Sequence, residues 1–402
     1  MDEEYTQGIS WRVVGRSVMG ASHTRSGKPN QDALGWQPDA GVGTTAILAV
    51  ADGHGSAKCF RSERGSRLAV ETALDELASL LAGQGNDTTA AKRIAQERLP
   101  QTIVRRWRQR VDDDLAREPL TDGELQTLAR AEGEAAQRLV AEQPALAYGS
   151  TLLAAVATTA FLLYVQIGDG DILCVSDAGD VSRPVAGDAR LIANETTSLC
   201  TVEAWKDFRV TFQPLAGTPP ALIVLSSDGY ANSFQNEAAF LQVGQDLHAL
   251  IATEGLDVVA DNLEAWLAQA SQEGSGDDVT VAVLARADFE QSGKSPSVPA
   301  LLVEPKEENS VPPKPRRPLP LRGLGGVVVA VLAIAALLGV WAVRARHSPS
   351  PPVRLPPRPH RPVQPSLPQK PTGKKPSLKK TPQTIPVGSM IPSAAFEALS
   401  PP

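Results

Sequence analysis

A short apolar strand that ends in a carboxylate restricts the fold of this chain more than any other feature. Thr45 to Val50 is an apolar run that breaks off into Ala51-Asp52-Gly53-His54-Gly55. A run that short and that apolar reads as a buried strand. An aspartate at its end is held rigidly at the rim of a sheet, a good place for a metal ligand. The glycines let the backbone turn and bring a carbonyl oxygen close to an ion. A tight turn with a solvated aspartate is the other reading of this hexapeptide alone. The design recurs, however: Ala221 to Leu225 ends in Ser226-Ser227-Asp228-Gly229, and Asp277-Asp278 stands just before the apolar run Val279 to Leu284.

Between these points the hydrophobic pattern alternates between strand and helix. Trp11 to Met19 reads as a strand and Gly20 to Leu34 as a polar loop ending at Gln31-Asp32. Ser66 to Leu81, Ala90 to Val111 and Asp122 to Glu142 each carry helical periodicity, with Asp87-Thr88 and Thr121-Asp122 as N-caps and Gly83 as a stop. The arginines 105, 106, 108 and 110, followed by Asp112 to Asp114, read as a salt-bridged solvent face. Tyr148 to Ala157, Phe161 to Ile167 and Ile172 to Ser176 read as strands, with a hairpin turn at Asp177 to Asp180. Residues 183–215 read as irregular, Asp257 to Gln272 as a helix, and the globular part ends near Asp288.

Charge divides the chain. From Leu301 onward there are 15 Lys/Arg against 4 Asp/Glu, which leaves 24 basic against 41 acidic residues ahead of it. An acidic body argues against nucleic acid as the main partner and suits a divalent cation, although a solvated acidic surface also gives it. The three cysteines, Cys59, Cys174 and Cys200, form no disulfide or zinc pattern and indicate a reducing compartment. The expected organisation is a catalytic domain over 1–290, a Pro- and charge-rich linker over 291–322, a membrane span, and a basic, disordered Pro-rich tail over 344–402. The span, Gly323 to Val343, is 21 residues without a charge. As a helix it covers roughly 30 Å, the hydrocarbon thickness of a bilayer. No basic start followed by an apolar run opens the chain, so the expected topology is single-pass, with the catalytic domain in the cytoplasm and the tail outside.

Aspartates far apart in sequence, each at the edge of an apolar strand, can meet at one rim of a sheet sandwich. Oxygen donors alone favour Mg²⁺ or Mn²⁺ over zinc. Two such ions roughly 3.5–4 Å apart would acidify a bridging water for in-line attack on phosphorus.

Here the chain resembles the metal-dependent Ser/Thr protein phosphatases of the PP2C (PPM) type, in their bacterial branch. The resemblance covers about residues 10–286, and its motifs stand in the family's order: Ser-Gly-Lys-Pro-Asn-Gln-Asp-Ala, Val-Ala-Asp-Gly-His-Gly, Tyr-Gly-Ser-Thr, Ile-Gly-Asp-Gly-Asp, Ala-Asn-Glu-Thr-Thr-Ser-Leu, Ser-Ser-Asp-Gly-Tyr and Gly-Asp-Asp-Val-Thr-Val. It implies an α+β fold, a four-layer α-β-β-α sandwich with two central antiparallel sheets and a flap around residues 177–215. It implies two bound ions and a weaker third site. Asp52 would bridge both ions, the Gly53 carbonyl would complete the second, and Asp228 and Asp277 would hold the first. Asp169 would belong to the third site. Asp32 would orient water, and His54 would protonate the leaving oxygen. Gln31 stands where the family often has an acid, Asp278 replaces a common Asn, and the phosphate-binding arginine does not align cleanly, leaving Arg25 or Lys28 for that role. His23 could be a ligand, but a surface-loop histidine is the commoner reading. The expected substrates are phosphoserine and phosphothreonine proteins made by bacterial Ser/Thr kinases. The rivals are a non-catalytic phosphoprotein-binding scaffold and a phosphatase for anti-sigma-factor antagonists.

Overall fold

The computed structural model describes residues 9–84, 87–188 and 196–292. Contacts divide the chain into Met1–Val303 and Glu304–Pro402, and every described residue falls in the first unit. The linker, the span at 323–343 and the tail lie outside the described residues. Among those residues no helix is long and apolar enough to cross a membrane.

Among the described residues, eleven strands form two antiparallel sheets. The strands are β1 (Trp11–Val18), β2 (Ala33–Gln37), β3 (Val42–Gly43), β4 (Ala46–Ala51), β5 (Leu152–Ala157), β6 (Phe161–Ile167), β7 (Asp171–Val175), β8 (Val181–Ser182), β9 (Arg209–Pro214), β10 (Leu222–Ser226) and β11 (Val279–Arg286). The six-stranded sheet runs β3-β1-β11-β10-β7-β8, and the five-stranded sheet runs β2-β4-β5-β6-β9. The helices are α1 (Ala21–Ser26), α2 (Ser62–Gln84), α3 (Thr88–Glu97), α4 (Leu99–Arg117), α5 (Asp122–Glu132), α6 (Glu134–Glu142), α7 (Asp228–Ala231), α8 (Glu237–Glu254), α9 (Leu256–Glu273) and α10 (Ala287–Ser292).

Three cores stack these elements into four layers. Leu48, Val50, Leu153 and Tyr164 from one sheet meet Ile172, Ile223, Leu225 and Leu284 from the other. On the outer face of the five-stranded sheet, α2 and α4 pack Leu77, Ile103 and Trp107 against Ala49, Ala154 and Leu163. On the outer face of the other sheet, α8 and α9 pack Leu247, Ile251 and Leu263 against Val224, Val281 and Val283. Strands covered on both sides have no polar face, which is why β4, β5 and β6 read as continuous apolar runs. Tyr164 is fully buried, and its hydroxyl meets Cys174 Sγ at 3.1 Å across the seam between the sheets. A buried phenol needs such a partner.

The helical half breaks twice where the sequence periodicity runs on. The expected helix from Ala90 to Val111 is α3 and α4, separated at Arg98, with Pro100 in the first turn of α4. Proline fits there because that turn has no internal partner for an N–H. The expected helix from Asp122 to Glu142 is α5 and α6, separated at Gly133 with φ 88°. A side chain rarely adopts that conformation. Asp87 caps α3, and Thr121 with Glu124 forms a capping box on α5. Gly83 does not stop α2, which continues to Gln84.

Two segments expected to be irregular are ordered. The loop after β1 contains α1, and residues 209–214 form edge strand β9 on β6. Three of the four clustered arginines meet partners: Arg106 pairs with Glu76 and Arg110 with Glu71 and Asp75, while Arg108 donates to the carbonyls of Cys200 and Thr201. All three cysteines are free and buried.

Candidate metal centre

Carboxylates from both sheets converge at one rim of the sandwich. Asp52 follows β4, where an isolated bridge between Gly53 and Ser150 and the Thr151 N–H to Asp52 carbonyl bond (2.8 Å) extend the sheet past its last regular pair. Gly53 lies where two other backbone segments close in. A Cβ on it would sit 2.6 Å from the Gln31 carbonyl oxygen and 2.7 Å from that of Ser62, so only glycine fits without a shift. Asp228 opens α7 directly after β10, and Asp277 precedes β11.

The groups shift one another. Burial, first, pushes Asp52 well above the ordinary carboxylate range, and the charges of Asp32, Asp228 and Asp277 add to it. The neighbouring Asp228 raises Asp52 further. Asp228 is raised by burial and then by Asp169 and Asp277. Asp32 is pushed up to about 7 by burial, against hydrogen bonds from Thr280 and Ser227 that pull it down, with Asp278 and Asp228 raising it further. Its Oδ2 accepts from Thr280 Oγ1 at 2.7 Å, while its buried Oδ1 has no protein partner. Burial lowers the His54 imidazole, and nearby Asp169 opposes that.

These interactions link Asp32, Asp52, Asp169, Asp228 and Asp277 in one connected cluster, with the charge of Asp169 felt at His54. The charges that raise Asp32, Asp52 and Asp228 all come from other carboxylates. Such crowding of oxygen donors, with one buried oxygen unpartnered, is what a hard divalent cation relieves. The residues present fit Mn²⁺ or Mg²⁺.

Arg25 is exposed on α1. Lys28 is also exposed, but its Nζ donates to the Gly55 carbonyl at 3.3 Å, next to His54. Lys28, Gln31, Gly55, Phe60, Leu128 and Ala131 line a groove of about 390 Å³ that opens beside this loop. A larger cavity of about 560 Å³, near Asp177, Arg183 and Pro219, contains none of the clustered carboxylates named above. Gln31 donates from Nε2 to Ser62 Oγ at 2.6 Å. Asp171 pairs with Arg183 at 2.6 Å.

Sequence reasoning gave no role to two of the groups that shape the centre. Thr280 and Asn30 fix Asp32, the latter by accepting its N–H at 2.9 Å. Asp278 is no passive stand-in for asparagine: at 3% exposure its two oxygens accept the N–H groups of Gly20 (2.6 Å) and Gln31 (2.7 Å). His23, expected on a surface loop, is instead buried on α1 because its ring turns in toward Asp278.

Residues 19–268 match the protein phosphatase 2C family, and the chain belongs to that family. No curated protein is similar enough to this chain to count as a match. Among solved structures, it is similar to the catalytic domain of the Ser/Thr phosphatase PstP in complex with two manganese ions, at 20% identity over 69% of this chain and 99% of that one, with a TM-score of 0.43. It is also similar to PstP/Ppp of Mycobacterium tuberculosis (18% identity, 69% of this chain and 98% of that one, TM-score 0.41). A third is PppA, a regulatory component of T6SS in Pseudomonas aeruginosa (17% identity, 69% and 99%, TM-score 0.43).

Proposed function

We propose that this protein phosphatase 2C hydrolyses phosphoserine and phosphothreonine in proteins with Mn²⁺ or Mg²⁺, that it is held at the cell membrane by residues 323–343, and that it reverses the action of Ser/Thr kinases. The observation that carries the catalytic reading is the convergence of Asp52, Asp228, Asp277 and Asp32 from two sheets on one rim. Asp52, the Gly53 carbonyl, Asp228 and Asp277 would hold the ions, with Asp169 at a weaker site. Bound divalent cations supply Lewis acidity and neutralise charge on the phosphoryl oxygens.

The chain's own groups do the rest. Thr280 fixes one oxygen of Asp32, which leaves Oδ1 to accept from and orient the attacking water. The His54 ring, kept neutral by burial, offers an N–H to the departing seryl or threonyl oxygen. Lys28 stands at the mouth of the groove, where a cation attracts phosphate. Hydrolysis is direct. Burial raises the thiols of Cys59, Cys174 and Cys200, which keeps them protonated and poor nucleophiles.

The membrane reading is supported by the 21 uncharged residues between Arg322 and Arg344. The domain ahead of them would face the cytoplasm and the basic tail the outside. The test is hydrolysis of a phosphothreonine peptide by the full chain with Mn²⁺, alongside Asp52→Asn and Asp277→Asn. Activity that needs the ion and disappears in both variants is expected. Mn²⁺ binding without hydrolysis by the unaltered chain would favour the scaffold. Protease added to intact cells should remove the tail and spare the catalytic domain; loss of the domain would reverse the topology.

A further inference from the structure

We propose that His23 is a ligand of the cation centre, binding through Nε2 beside Asp277. The proposal rests on the metal-dependent reading above and adds one nitrogen to donors that are otherwise all oxygen. The sequence holds His23 in place through α1. Gly20 N–H donates to Asp278 Oδ1 (2.6 Å), Ala21 N–H to Ser271 Oγ (3.0 Å) and Ser22 N–H to the Gly276 carbonyl (2.8 Å). These bonds pin the short helix to the loop that carries Asp277. The His23 side chain is 9% exposed.

Within that setting Nδ1 lies 2.8 Å from Asp278 Oδ2, and Nε2 lies 3.8 Å from Asp277 Oδ1. His23, Asp277 and Asp278 each offer one atom within 4.8 Å of the others; among the described residues this is the group of three that comes so close. A separation of 3.8 Å falls inside the roughly 3–4.2 Å expected between two ligands about 2.1 Å from one ion. Nδ1 faces Asp278 Oδ2 at bonding distance but out of line, and Nε2 faces Asp277 beyond hydrogen-bond reach, so a small turn of the ring completes the first contact and leaves Nε2 for an ion. Asp278 is fixed by two backbone N–H groups and suits the outer member of a carboxylate–imidazole–metal series better than a ligand. Asp277 is 56% exposed at its side chain and interacts with both Asp52 and Asp228, which joins His23 to the carboxylate cluster.

An imidazole in the shell favours Mn²⁺ over Mg²⁺, because Mg²⁺ prefers oxygen donors alone. The test is pulsed EPR of the full chain loaded with Mn²⁺, which reads ¹⁴N modulation from a coordinated imidazole. Modulation is expected in the unaltered chain and in His54→Gln, and should disappear in His23→Gln. Mn²⁺ affinity in His23→Gln should fall about tenfold, with a smaller loss for Mg²⁺. Histidine labelled with ¹⁵N in the unaltered chain and in His54→Gln gives the same answer even if the His23 variant fails to fold. Bound Mn²⁺ without nitrogen modulation would overturn the His23 assignment and leave the oxygen centre standing. Modulation that survives in His23→Gln would also overturn it. Failure of the unaltered chain to bind Mn²⁺ would remove both readings.

Discussion

Replacing Arg61 by methionine should destabilise the phosphatase domain by about 3–4 kcal/mol, the scale for breaking a buried ion pair from one side. Arg61 sits at the entry to α2 with its side chain 3% exposed. Its guanidinium donates to both oxygens of Glu124 (2.8 and 2.9 Å), to the carbonyls of Glu118 (2.6 Å) and Pro119 (2.9 Å), and to Tyr148 Oη (3.0 Å). Methionine fills much of the volume and satisfies none of these. Tyr148 keeps Asp114 at 2.8 Å, and Glu124 keeps Thr121. The two carbonyls lose their donor, at about 1–1.5 kcal/mol each, and the part-exposed ion pair adds about 1 kcal/mol. For a domain of this size the melting midpoint should fall by about 6–8 °C. Arg61→Lys should recover less than half, because an ammonium cannot span the fork. The effect reaches the centre as well through Tyr148, which loses the Arg61 donor and stands next to Gly149, where the His54 N–H is accepted, two residues before Thr151 donates to the Asp52 carbonyl. Mn²⁺ titration of the methionine variant should therefore show weaker binding. Calorimetry that finds a midpoint within about 2 °C of the unaltered chain would refute the reasoning, because water would then replace every one of these bonds.

Mn²⁺ at about 100 times its dissociation constant should stabilise the unaltered chain by about 2.7 kcal/mol, read as a rise in melting midpoint. Asp52→Asn should abolish that rise while melting no lower than the unaltered chain in chelator, since it takes one carboxyl out of a crowded cluster; a full-sized rise would count against Asp52 as a ligand. Gly53→Ala should cost about 1–3 kcal/mol, as overpacking does, and should weaken Mn²⁺ binding in the same titration, because the new methyl would press on the Gln31 and Ser62 carbonyls. At low pH, burial would raise the Glu124 carboxyl, but hydrogen bonds from Arg61 and Thr121 hold it down at about 2, against 4.5 for an ordinary glutamate. Its folded value is the lower one, so its contribution is full above about pH 5 and is lost as pH falls towards 2. After allowance for its exposure this is about 1 kcal/mol, and urea melts of Glu124→Gln should differ from the unaltered chain by that amount at pH 6 and converge near pH 2.

The parts of the fold legible in the sequence were those governed by local burial. β4, β5, β6, β10 and β11 lie between layers, so their apolar runs announced them. The carboxylates at strand ends were legible for the same reason. The helix breaks were not read, since helical periodicity continues through Arg98 and Gly133 and outweighed the two local signals, Pro100 and Gly133. Strand β9 is an edge strand whose alternation of Val210 and Phe212 with polar neighbours is short and half-buried. Helix α8 went unread although Phe240, Gly244, Leu247 and Ile251 keep helical spacing, because a glycine in mid-helix weakens the signal. His23 could not be read locally, because the groups that bury it are contributed some 250 residues downstream, at Asp277 and Asp278.

The cluster of carboxylates has one foot on each sheet. Asp52 extends from the five-stranded sheet, and Asp228 and Asp277 flank strands of the six-stranded one. The gap they span is therefore set by how Val50, Leu153 and Tyr164 seat against Leu225, Ile172 and Leu284. The centre works as a caliper on the seam between the sheets. Linkage makes the reading reciprocal: a cation that draws the carboxylates together tightens the seam by the same free energy by which a tighter seam raises cation affinity. A methyl group removed deep in that seam should thus be felt at the rim as a change in Mn²⁺ binding, although no atom of the altered side chain comes near the ion.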